Sequence, residues 1–500
     1  MLTSPGERVG VTLAVLTDVH YGAPATHGVR RSEIADILLQ RAVHRLNRLV
    51  RPDVTVVLGD LVDDGVSPET SQRLGTLRTI LDKLYSPWLV IPGNHDGDVD
   101  SFYRVFDRPP DTVDIAGVRF LPFVDPEQPG YNAMRRPTDL DRFRQARDDY
   151  SGPIVALQHV CLAPPDQAEA PYNYTNAADV IQAMTEAGVV LSISGHHHAG
   201  GSPVRTETTT FVTAPALCEA PFAFLIVELE DGAVSVEQHQ LAMPERLGLV
   251  DMHVHTQLAY CSANMHVESA IALARDFGLA GLGFSEHSGQ LHFTAHDYWN
   301  GVALEMGIAC AHKDHDRMPA YLHLKQQHRS SDVAFGLEVD ADYHGELLLR
   351  LEDRGRVDHL LGSIHRTPSL YKPSQSPDTL EEEFMYSLEQ LLKNKIDILA
   401  HPFRLFSGVG YPPPENLFRP VAAMLHEYGV AAEINYHRNT PPPAFVRVCL
   451  DMGVKLAFGS DAHSLYEIGE FADHLSLLAD LGFDGPLSDI LLPQRDDWQV

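Results

Sequence analysis

The stretch VVLSISGHHHAG, residues 189–200, joins a run of β-prone apolar residues to three consecutive histidines. The apolar run is typical of a buried strand, and the glycine that follows it marks the point where the strand ends. The imidazoles of His196, His197 and His198 therefore follow a strand end, where they serve either as a solvated turn or as metal ligands. The residues at the other strand ends decide between these interpretations.

Four other β-rich runs in the first half of the chain also end on polar residues. The side chains that follow them are Asp18 and His20 after VTLAVLT, Asp60 after VTVVLG, Asn94 and His95 after WLVIPG, and His159 after PIVALQ. Because ligand sites form at the carboxyl ends of strands in α/β sheets, we expect these strands to direct their side chains to one place. Unrelated turn residues are the alternative, but every member of the set is a metal-ligand type, which favours a metal site.

In chain order the motifs DxH, GD, GNHD, H and GHxH resemble the calcineurin-like metallophosphoesterases over roughly residues 10–240. GDLVDDG and PGNHD are most similar to the branch with cyclic-nucleotide and glycerophosphodiester phosphodiesterases. The resemblance implies an α/β sandwich that binds two divalent metals, and nitrogen and oxygen ligands suit Mn, Fe or Zn. It assigns one metal to Asp18, His20, Asp60 and His198, and the other to Asp60, Asn94, His159 and His196.

The same resemblance gives roles to the remaining residues of these motifs. Asp60 would bridge the two metals, because one carboxylate can reduce the repulsion between them. His95 would stay unligated near the substrate as a proton donor or a stabiliser of phosphate oxygens. His197 occupies the variable position of GHxH and is expected to face solvent.

The second half of the chain repeats this arrangement with different motifs. Its β-rich runs end within LVDMHVH, GLGFSEH, VAFGLEVD, LLGSIH, DILAHPFR and LAFGSDAH, and helical segments such as VESAIALARDFG lie between them. The candidate ligands are His253, His255, His287, Glu338, His365, His401, Asp461 and His463. Alternating strands and helices with polar strand ends predict a barrel whose carboxyl-terminal rim carries the site.

The series HxH, SEH, GxE, GSIH, AHP and GSDAH resembles the PHP family, named for polymerase and histidinol phosphatase, over residues 249–470. It is most similar to the histidinol-phosphatase-like members. The resemblance implies a distorted (β/α)7 barrel with two to three divalent metals, Zn, Fe or Mn. It assigns His253, His255, Glu338 and Asp461 to the first metal, Glu338, His365 and His401 to the second, and His287 and His463 to the third.

Four further residues near the predicted rim are candidates for the site. Cys261 stands where many PHP proteins have another histidine, and it is either a thiolate ligand of the third metal or a small buried apolar residue. Arg366, Arg404 and Arg438 follow strand-end motifs and could bind a phosphate through bidentate hydrogen bonds. Singly each arginine fits a surface position, whereas together they fit a site for phosphate monoesters.

Composition and patterning limit the domains and partners. FAFLIVELEDGAVSVEQHQLAM predicts a hairpin that turns at Asp231 and Gly232, so we place domains at residues 1–246 and 247–500. Acidic residues outnumber basic ones by 68 to 38, the net charge is −30, and long nucleic acids and anionic membranes are therefore disfavoured partners. Five widely spaced cysteines, with neither a signal peptide nor a membrane-spanning run, predict a cytoplasmic protein. The oligomeric state stays open.

The sequence thus predicts a bifunctional metal-dependent phosphoesterase. A binuclear phosphodiesterase would be followed by a polynuclear PHP phosphatase, and the substrates would be small phosphorylated metabolites or nucleotides. A nuclease or oligonucleotide phosphoesterase is an alternative that the acidic balance disfavours. A second alternative makes one domain a non-catalytic module that binds a metabolite, but a decayed domain would have lost ligand residues.

Overall fold

The computed structural model describes residues 10–25, 28–230, 232–370, 372 and 375–492. The chain divides into two compact units, Met1–Ala242 and Met243–Val500. Both units mix strands and helices, which confirms the predicted α/β class. Within the described residues, no helix combines the length and the apolar character needed to cross a bilayer.

The first unit is built from short strands and five helices in its described part. Its strands are β1 (Gly10–Leu16), β2 (Val54–Leu58), β3 (Trp88–Ile91), β4 (Val113–Ile115), β5 (Val118–Pro122), β6 (Glu127–Gln128), β7 (Asn132–Ala133), β8 (Ile154–Leu157), β9 (Val189–Ser194), β10 (Val204–Arg205), β11 (Thr210–Thr213), β12 (Ala223–Glu230) and β13 (Ala233–Gln240). Its helices are α1 (Ala35–Arg45), α2 (Thr70–Leu81), α3 (Val99–Val105), α4 (Pro137–Asp148) and α5 (Ala177–Ala187).

Two sheets of the first unit form the predicted sandwich. One has the order β13-β12-β1-β2-β3 and the other has the order β10-β11-β9-β8-β5-β4. Their facing side chains form one buried core that includes Leu13 and Val56 from the first sheet and Val155 and Ile193 from the second. Strands such as β2 are buried along their whole length, which explains their nearly continuous apolar sequence.

The predicted hairpin near residue 231 is formed by β12 and β13, which pair antiparallel from Ala223 opposite Gln240 to Glu230 opposite Ala233. Strand β12 also pairs with β1, so the hairpin extends the first sheet. Gly232 has a φ of +80°, as a tight turn requires, while Asp231 lies outside the described residues.

The second unit is a parallel barrel. Its strands are β14 (Val250–Val254), β15 (Gly281–His287), β16 (Val333–Asp340), β17 (Leu360–Ser363), β18 (Ile398–Leu399), β19 (Ala431–Asn435) and β20 (Leu456–Gly459). Its helices are α6 (Val267–Asp276), α7 (Ser288–His292), α8 (Ala295–Trp299), α9 (Val302–Met306), α10 (Met318–His328), α11 (Leu351–Arg354), α12 (Pro377–Lys393), α13 (Arg404–Gly408), α14 (Phe418–Tyr428), α15 (Pro443–Asp451) and α16 (Ala472–Asp480).

The seven barrel strands lie in sequence order, and every neighbouring pair is parallel. A parallel bridge between Val254 and Ala462 joins the first strand to the segment after the last strand and nearly closes the barrel. A core of mostly small and medium apolar side chains, among them Ala334, Leu361 and Ala457, packs between the strands. This arrangement confirms the predicted (β/α)7 barrel.

Candidate metal centres

The predicted side chains of the first unit converge from both sheets of the sandwich. Asp18 and His20 follow β1, Asp60 follows β2, and Asn94 and His95 follow β3, all in the first sheet. His159 follows β8, and His196 and His198 follow β9, in the second sheet. The five strands therefore meet at one site although they do not share a sheet.

One half of this site contains Asp18, His20 and His198. The Nε2 atoms of His20 and His198 lie 3.1 Å apart. Asp18 Oδ1 is 3.4 Å from His198 Nε2, and Asp60 Oδ2 is 3.6 Å from His20 Nε2. Two carboxylate oxygens and two imidazole nitrogens thus lie close together, and such a donor set suits a divalent cation.

The other half contains Asn94, His159 and His196. His159 Nε2 lies 3.2 Å from Asn94 Oδ1 and 3.2 Å from His196 Nδ1. The same nitrogen lies 3.3 Å from Asp60 Oδ2. A single oxygen of Asp60 therefore faces both halves, which is the position that a bridging carboxylate would occupy.

Hydrogen bonds on the far side of the histidine rings orient the rings so that they can bind a cation. His198 Nδ1 donates to Glu219 Oε1 at 2.6 Å, and His159 Nδ1 donates to the Leu58 carbonyl at 2.6 Å. Each ring consequently presents its other nitrogen to the cluster. Asp18 Oδ1 is buried and has no hydrogen-bond partner in the described part of the chain, so a cation would satisfy it.

The backbone holds four of these residues in an unfavourable conformation. Asp18, His20, Asp60 and His196 have φ values of +52°, +49°, +51° and +65°. Residues other than glycine rarely adopt this left-handed backbone conformation, and backbone strain of this kind concentrates at functional sites. The backbone around these residues is also closely packed. A Cβ atom at position 93 would lie 2.3 Å from Asp60 Oδ1, so only glycine fits there.

Asp60 is negatively charged at neutral pH. Burial raises its carboxyl pKa, but the imidazoles of His159 and His20 together outweigh burial and the pKa falls to about 2. An ionised and buried carboxylate among imidazoles is the electrostatic environment that favours a divalent cation.

Glu338 occupies the equivalent central position in the barrel. Its Oε1 lies 2.9 Å from His401 Nε2 and 3.3 Å from His365 Nε2. Its Oε2 lies 2.6 Å from His287 Nδ1 and 3.6 Å from His253 Nε2. Burial raises the pKa of Glu338, yet the imidazoles of His365, His287 and His253 hold this pKa well below its usual range. The two oxygens of one carboxylate thus face two sets of imidazoles.

Asp461 and His463, after the last strand, complete the barrel cluster. Asp461 Oδ1 lies 3.0 Å from His255 Nε2 and 3.5 Å from His253 Nε2. The ring centroid of His255 is 4.1 Å from that of His287 and 4.3 Å from that of His463. Ligand atoms of His255, His287 and His463 all lie within 4.8 Å of one another.

Acidic partners orient the barrel histidines in the same way. His253 Nδ1 donates to Glu433 Oε1 at 2.8 Å, and His365 Nδ1 donates to Asp340 Oδ2 at 3.0 Å. His253 Nε2 and Glu338 Oε2 are buried and make no well-aligned hydrogen bond within the described residues, although His287 Nδ1 lies 2.6 Å from Glu338 Oε2. The atoms that face the cluster are therefore the ones left for a cation.

A cavity of about 300 Å³ opens over the barrel cluster. It is lined by Cys261 and by all three predicted arginines, Arg366, Arg404 and Arg438. Arg404 Nη1 also donates to Asp461 Oδ2 at 2.9 Å, which connects the cationic wall to the cluster. The arginines place positive charge beside a cluster that would hold cations, and both would attract an anionic substrate.

Each half of the chain matches the sequence model of a known family. Residues 11–200 match the sequence model of the calcineurin-like phosphoesterases, and residues 251–437 match that of the PHP domain. The chain joins a calcineurin-like phosphoesterase domain to a PHP domain. It is a metal-dependent phosphoric ester hydrolase.

Several relatives match one half of the chain. A probable phosphatase of Shewanella sp. (strain ANA-3) is 24% identical over 244 residues, which are 46% of this chain and 82% of the relative. A probable histidinol-phosphatase of Deinococcus radiodurans is 25% identical over 264 residues, which are 47% of this chain and 94% of the relative. The crystal structure of a dimetal phosphatase from Danio rerio aligns with a TM-score of 0.38 and 16% identity, over 46% of this chain and 96% of that one.

The calcineurin-like domain contains a structural aspartate that sequence reasoning missed. Asp96 Oδ1 accepts from the backbone N–H groups of Leu61 at 2.7 Å and Val62 at 3.0 Å, and Asp96 Oδ2 accepts from that of Gly93 at 2.8 Å. Burial and the nearby Asp60 raise its pKa to about 7. Asp96 connects the loop after β2 to the loop after β3. In the sequence it could have been noticed as the aspartate that ends the GNHD motif.

The PHP domain contains further acidic residues that the motifs did not assign. Glu286 Oε2 accepts from the backbone N–H and the hydroxyl of Thr256, while its Oε1 lies 3.5 Å from His255 Nδ1. Glu433 and Asp340 orient histidines as described above. Glu286 and Asp340 stand in predicted strands, so their strand position was the available signal, whereas Glu433 lies in β19, which was not among the predicted runs. Glu219 in the other domain follows no strand and offered none.

Two residues at the PHP cavity bear on the third predicted metal. Cys261 Sγ accepts from Gln290 Nε2 at 3.5 Å, and burial raises its thiol pKa to about 12. Its role as a ligand stays a prediction. His437, next to the predicted Arg438, stacks on His463 with ring centroids 4.6 Å apart, and the sequence interpretation overlooked it.

Proposed function

We propose that the chain is a bifunctional phosphoesterase that acts on small phosphorylated metabolites or nucleotides. The calcineurin-like domain would hydrolyse a phosphodiester to a phosphomonoester and an alcohol, with one water consumed. The PHP domain would hydrolyse that monoester to an alcohol and inorganic phosphate with a second water. Fusion keeps the two activities in equal amount and close together.

The observation that carries the proposal is a shared carboxylate at the centre of each cluster. Asp60 Oδ2 faces His20 on one side and His159 on the other. The oxygens of Glu338 divide between two sets of imidazoles in the same manner. Two cations held close together by such residues would stabilise the attacking and leaving oxygens in phosphate ester hydrolysis.

The donor atoms suit two divalent metals in the calcineurin-like domain, from among Mn, Fe and Zn. They suit two to three divalent metals in the PHP domain, from among Zn, Fe and Mn. When bound, such cations act as Lewis acids on phosphoryl oxygens and lower the pKa of water. His287, His463 and Cys261 would supply the third PHP site.

The protein's own residues supply proton transfer and phosphate binding. His95 Nδ1 donates to the Asp63 carbonyl at 2.8 Å, which fixes the ring and leaves Nε2 as the nitrogen that exchanges a proton. In the proposed reaction His95 Nε2 gives its proton to the leaving alcohol oxygen. Arg366 and Arg438 would hold the monoester phosphate in the PHP cavity.

Replacing His95 by alanine is expected to slow diester hydrolysis by about 10²–10⁴-fold while the bound metal stays unchanged, because only the proton donor is removed. The measurements are kcat for a small phosphodiester and metal content by elemental analysis. His239→Ala, on the edge strand β13, is the matched control and should behave as wild type. Loss of metal together with activity would instead make His95 a ligand.

The proposed function is tested with the full chain, stripped of metal by a chelator and then reloaded. Adenosine 3′,5′-cyclic phosphate and glycerophosphocholine are supplied separately, and ³¹P NMR follows diester, monoester and free phosphate over time. We expect metal-dependent loss of diester, a transient monoester, and then free phosphate. Metal-loaded protein that consumes neither diester, or that never consumes the monoester it forms, would contradict the proposal.

A further inference from the structure

His437 lines the PHP cavity beside the candidate metal ligands. It follows β19, and its ring stacks on that of His463 at an interplanar angle of 22°. The backbone N–H of His437 donates to Asn435 Oδ1 at 2.9 Å. Asn435 Nδ2 in turn donates to Asp461 Oδ2 at 3.4 Å. These contacts fix the His437 imidazole at the edge of the cluster, on the wall that a bound ester would face.

A carboxylate holds one nitrogen of the His437 ring. Glu467 Oε2 accepts from the backbone N–H groups of His463 at 2.9 Å and Ser464 at 2.8 Å, so the loop after β20 fixes this carboxylate. Glu467 Oε1 accepts from His437 Nδ1 at 3.1 Å. The side chains of His437 and Glu467 are 11% and 14% exposed, so water competes little with their contact. Nε2 is therefore the nitrogen of His437 that a ligand in the cavity can reach, and the carboxylate would stabilise a positive charge on the ring.

The other cavity side chains that carry a proton are less suited to release it to a substrate. Arginine keeps its proton, and the arginines of this wall are the candidates for phosphate binding. Burial raises the pKa of the Cys261 thiol to about 12 and the pKa of the Tyr298 phenol well above its usual range. The remaining histidines and carboxylates of the wall are candidate metal ligands or orient one: His287, Asp340, His365, His401, Asp461 and His463. Among the described residues that line the cavity, His437 is the imidazole without such a task.

We propose that His437 is the general acid of the PHP phosphatase reaction and that Glu467 positions it. The proposal rests on the proposed function, because it concerns the monoester hydrolysis proposed for this domain. Water attacks phosphorus through its oxygen and loses one proton to solvent. The ester P–O bond breaks, its electron pair moves to the leaving oxygen, and this oxygen takes the proton of His437 Nε2. The products are an alcohol and inorganic phosphate, and His437 regains a proton from solvent.

The need for a proton donor depends on the leaving oxygen. An alkoxide such as that of glycerol is strongly basic and leaves slowly unless a proton reaches it as the bond breaks. A 4-nitrophenolate is weakly basic and leaves readily without a proton. Removal of a general acid therefore slows hydrolysis of an alkyl ester far more than hydrolysis of a 4-nitrophenyl ester. Removal of a merely structural side chain would slow both reactions alike.

The test uses the full chain loaded with metal and three monoesters: 4-nitrophenyl phosphate, phenyl phosphate and glycerol 3-phosphate. Only the rate that Glu338→Gln abolishes is counted, so that each kcat reports the PHP reaction. His437→Asn is expected to lower kcat for glycerol 3-phosphate by about 10²–10⁴-fold and kcat for 4-nitrophenyl phosphate by less than about tenfold. The loss for phenyl phosphate should lie between these two, and bound metal should stay unchanged.

Two further variants complete the comparison. Glu467→Gln keeps an oxygen that can accept from the backbone N–H groups of His463 and Ser464 but removes the charge beside His437. It should lower kcat for glycerol 3-phosphate by at least about tenfold and kcat for 4-nitrophenyl phosphate much less. His426→Asn removes an exposed imidazole of α14 that does not line the cavity, and this control should match wild type with all three esters.

The outcomes separate the general acid from the function on which it rests. An equal loss of kcat with all three esters, or wild-type rates in His437→Asn, overturns the inference alone. Loss of bound metal in His437→Asn would make this residue a ligand and also overturns the inference. A wild-type chain that hydrolyses only 4-nitrophenyl phosphate does the same, because a general acid would serve the more basic leaving groups. Absence of Glu338-dependent hydrolysis with all three esters overturns the proposed function and the inference together.

Discussion

Asp60→Asn is expected to reduce phosphodiester hydrolysis by more than roughly 10³-fold, because the carboxylate charge shared by both cation positions is lost. Asp60 Oδ2 lies 3.6 Å from His20 Nε2 and 3.3 Å from His159 Nε2. The substitution would remove the negative charge between these two imidazoles. Bound metal should fall in parallel, since a neutral amide would hold divalent cations more weakly than the carboxylate does. The measurements are kcat/KM for a small diester and metal content per chain.

The asparagine substitution is chosen to preserve the fold. Asp60 Oδ1 accepts from the His95 backbone N–H at 2.8 Å, and an asparagine amide oxygen can accept the same hydrogen bond. Asp64→Asn removes one charge from an exposed position of the same loop and should match wild type. Wild-type turnover and metal content in Asp60→Asn would remove Asp60 from the proposed centre.

The strand-end residues of the first domain could be predicted because each of them directly follows a buried apolar run in the sequence. A buried run that ends on a glycine places the next side chains at the carboxyl edge, and GHHH does so after β9. The structure brings His196 and His198 to different halves of the cluster, while His197 lines a small separate cavity. The resemblance to the calcineurin-like family had implied this division between His196 and His198.

The acidic partners could not be predicted in the same way, because their role depends on which ring they meet. Glu219 reaches His198 from a loop, and Glu433 reaches His253 across 180 positions of sequence. An acidic residue in a strand is compatible with a ligand, an ion pair or a structural acceptor until the partner is known. The position of Trp299 on the wall of the PHP cavity could not be predicted either, because helical spacing does not reveal a cavity.

Glu338→Gln is expected to arrest the reaction at the monoester, with free phosphate release reduced by more than roughly 10³-fold and diester consumption maintained. Glu338 is the one carboxylate on which His253, His287 and His401 converge. Its neutral replacement leaves these imidazoles without the charge that balances a pair of cations. Monoester accumulation by ³¹P NMR and metal content per chain are the measurements.

Comparison with Cys261→Ser distinguishes a central ligand from a peripheral one. Cys261 contacts Gln290 and lines the same cavity, so its replacement should lower phosphate release much less than Glu338→Gln does. Glu352→Gln, on the exposed face of α11, removes a similar carboxylate away from the cavity and should behave as wild type. Unchanged phosphate release and metal content in Glu338→Gln would contradict the barrel centre. Equal loss of phosphate release in Glu338→Gln and Cys261→Ser would show that the third site is as essential as the first two. Loss of Cys261 could have so large an effect only if Cys261 bound an ion that the reaction needs.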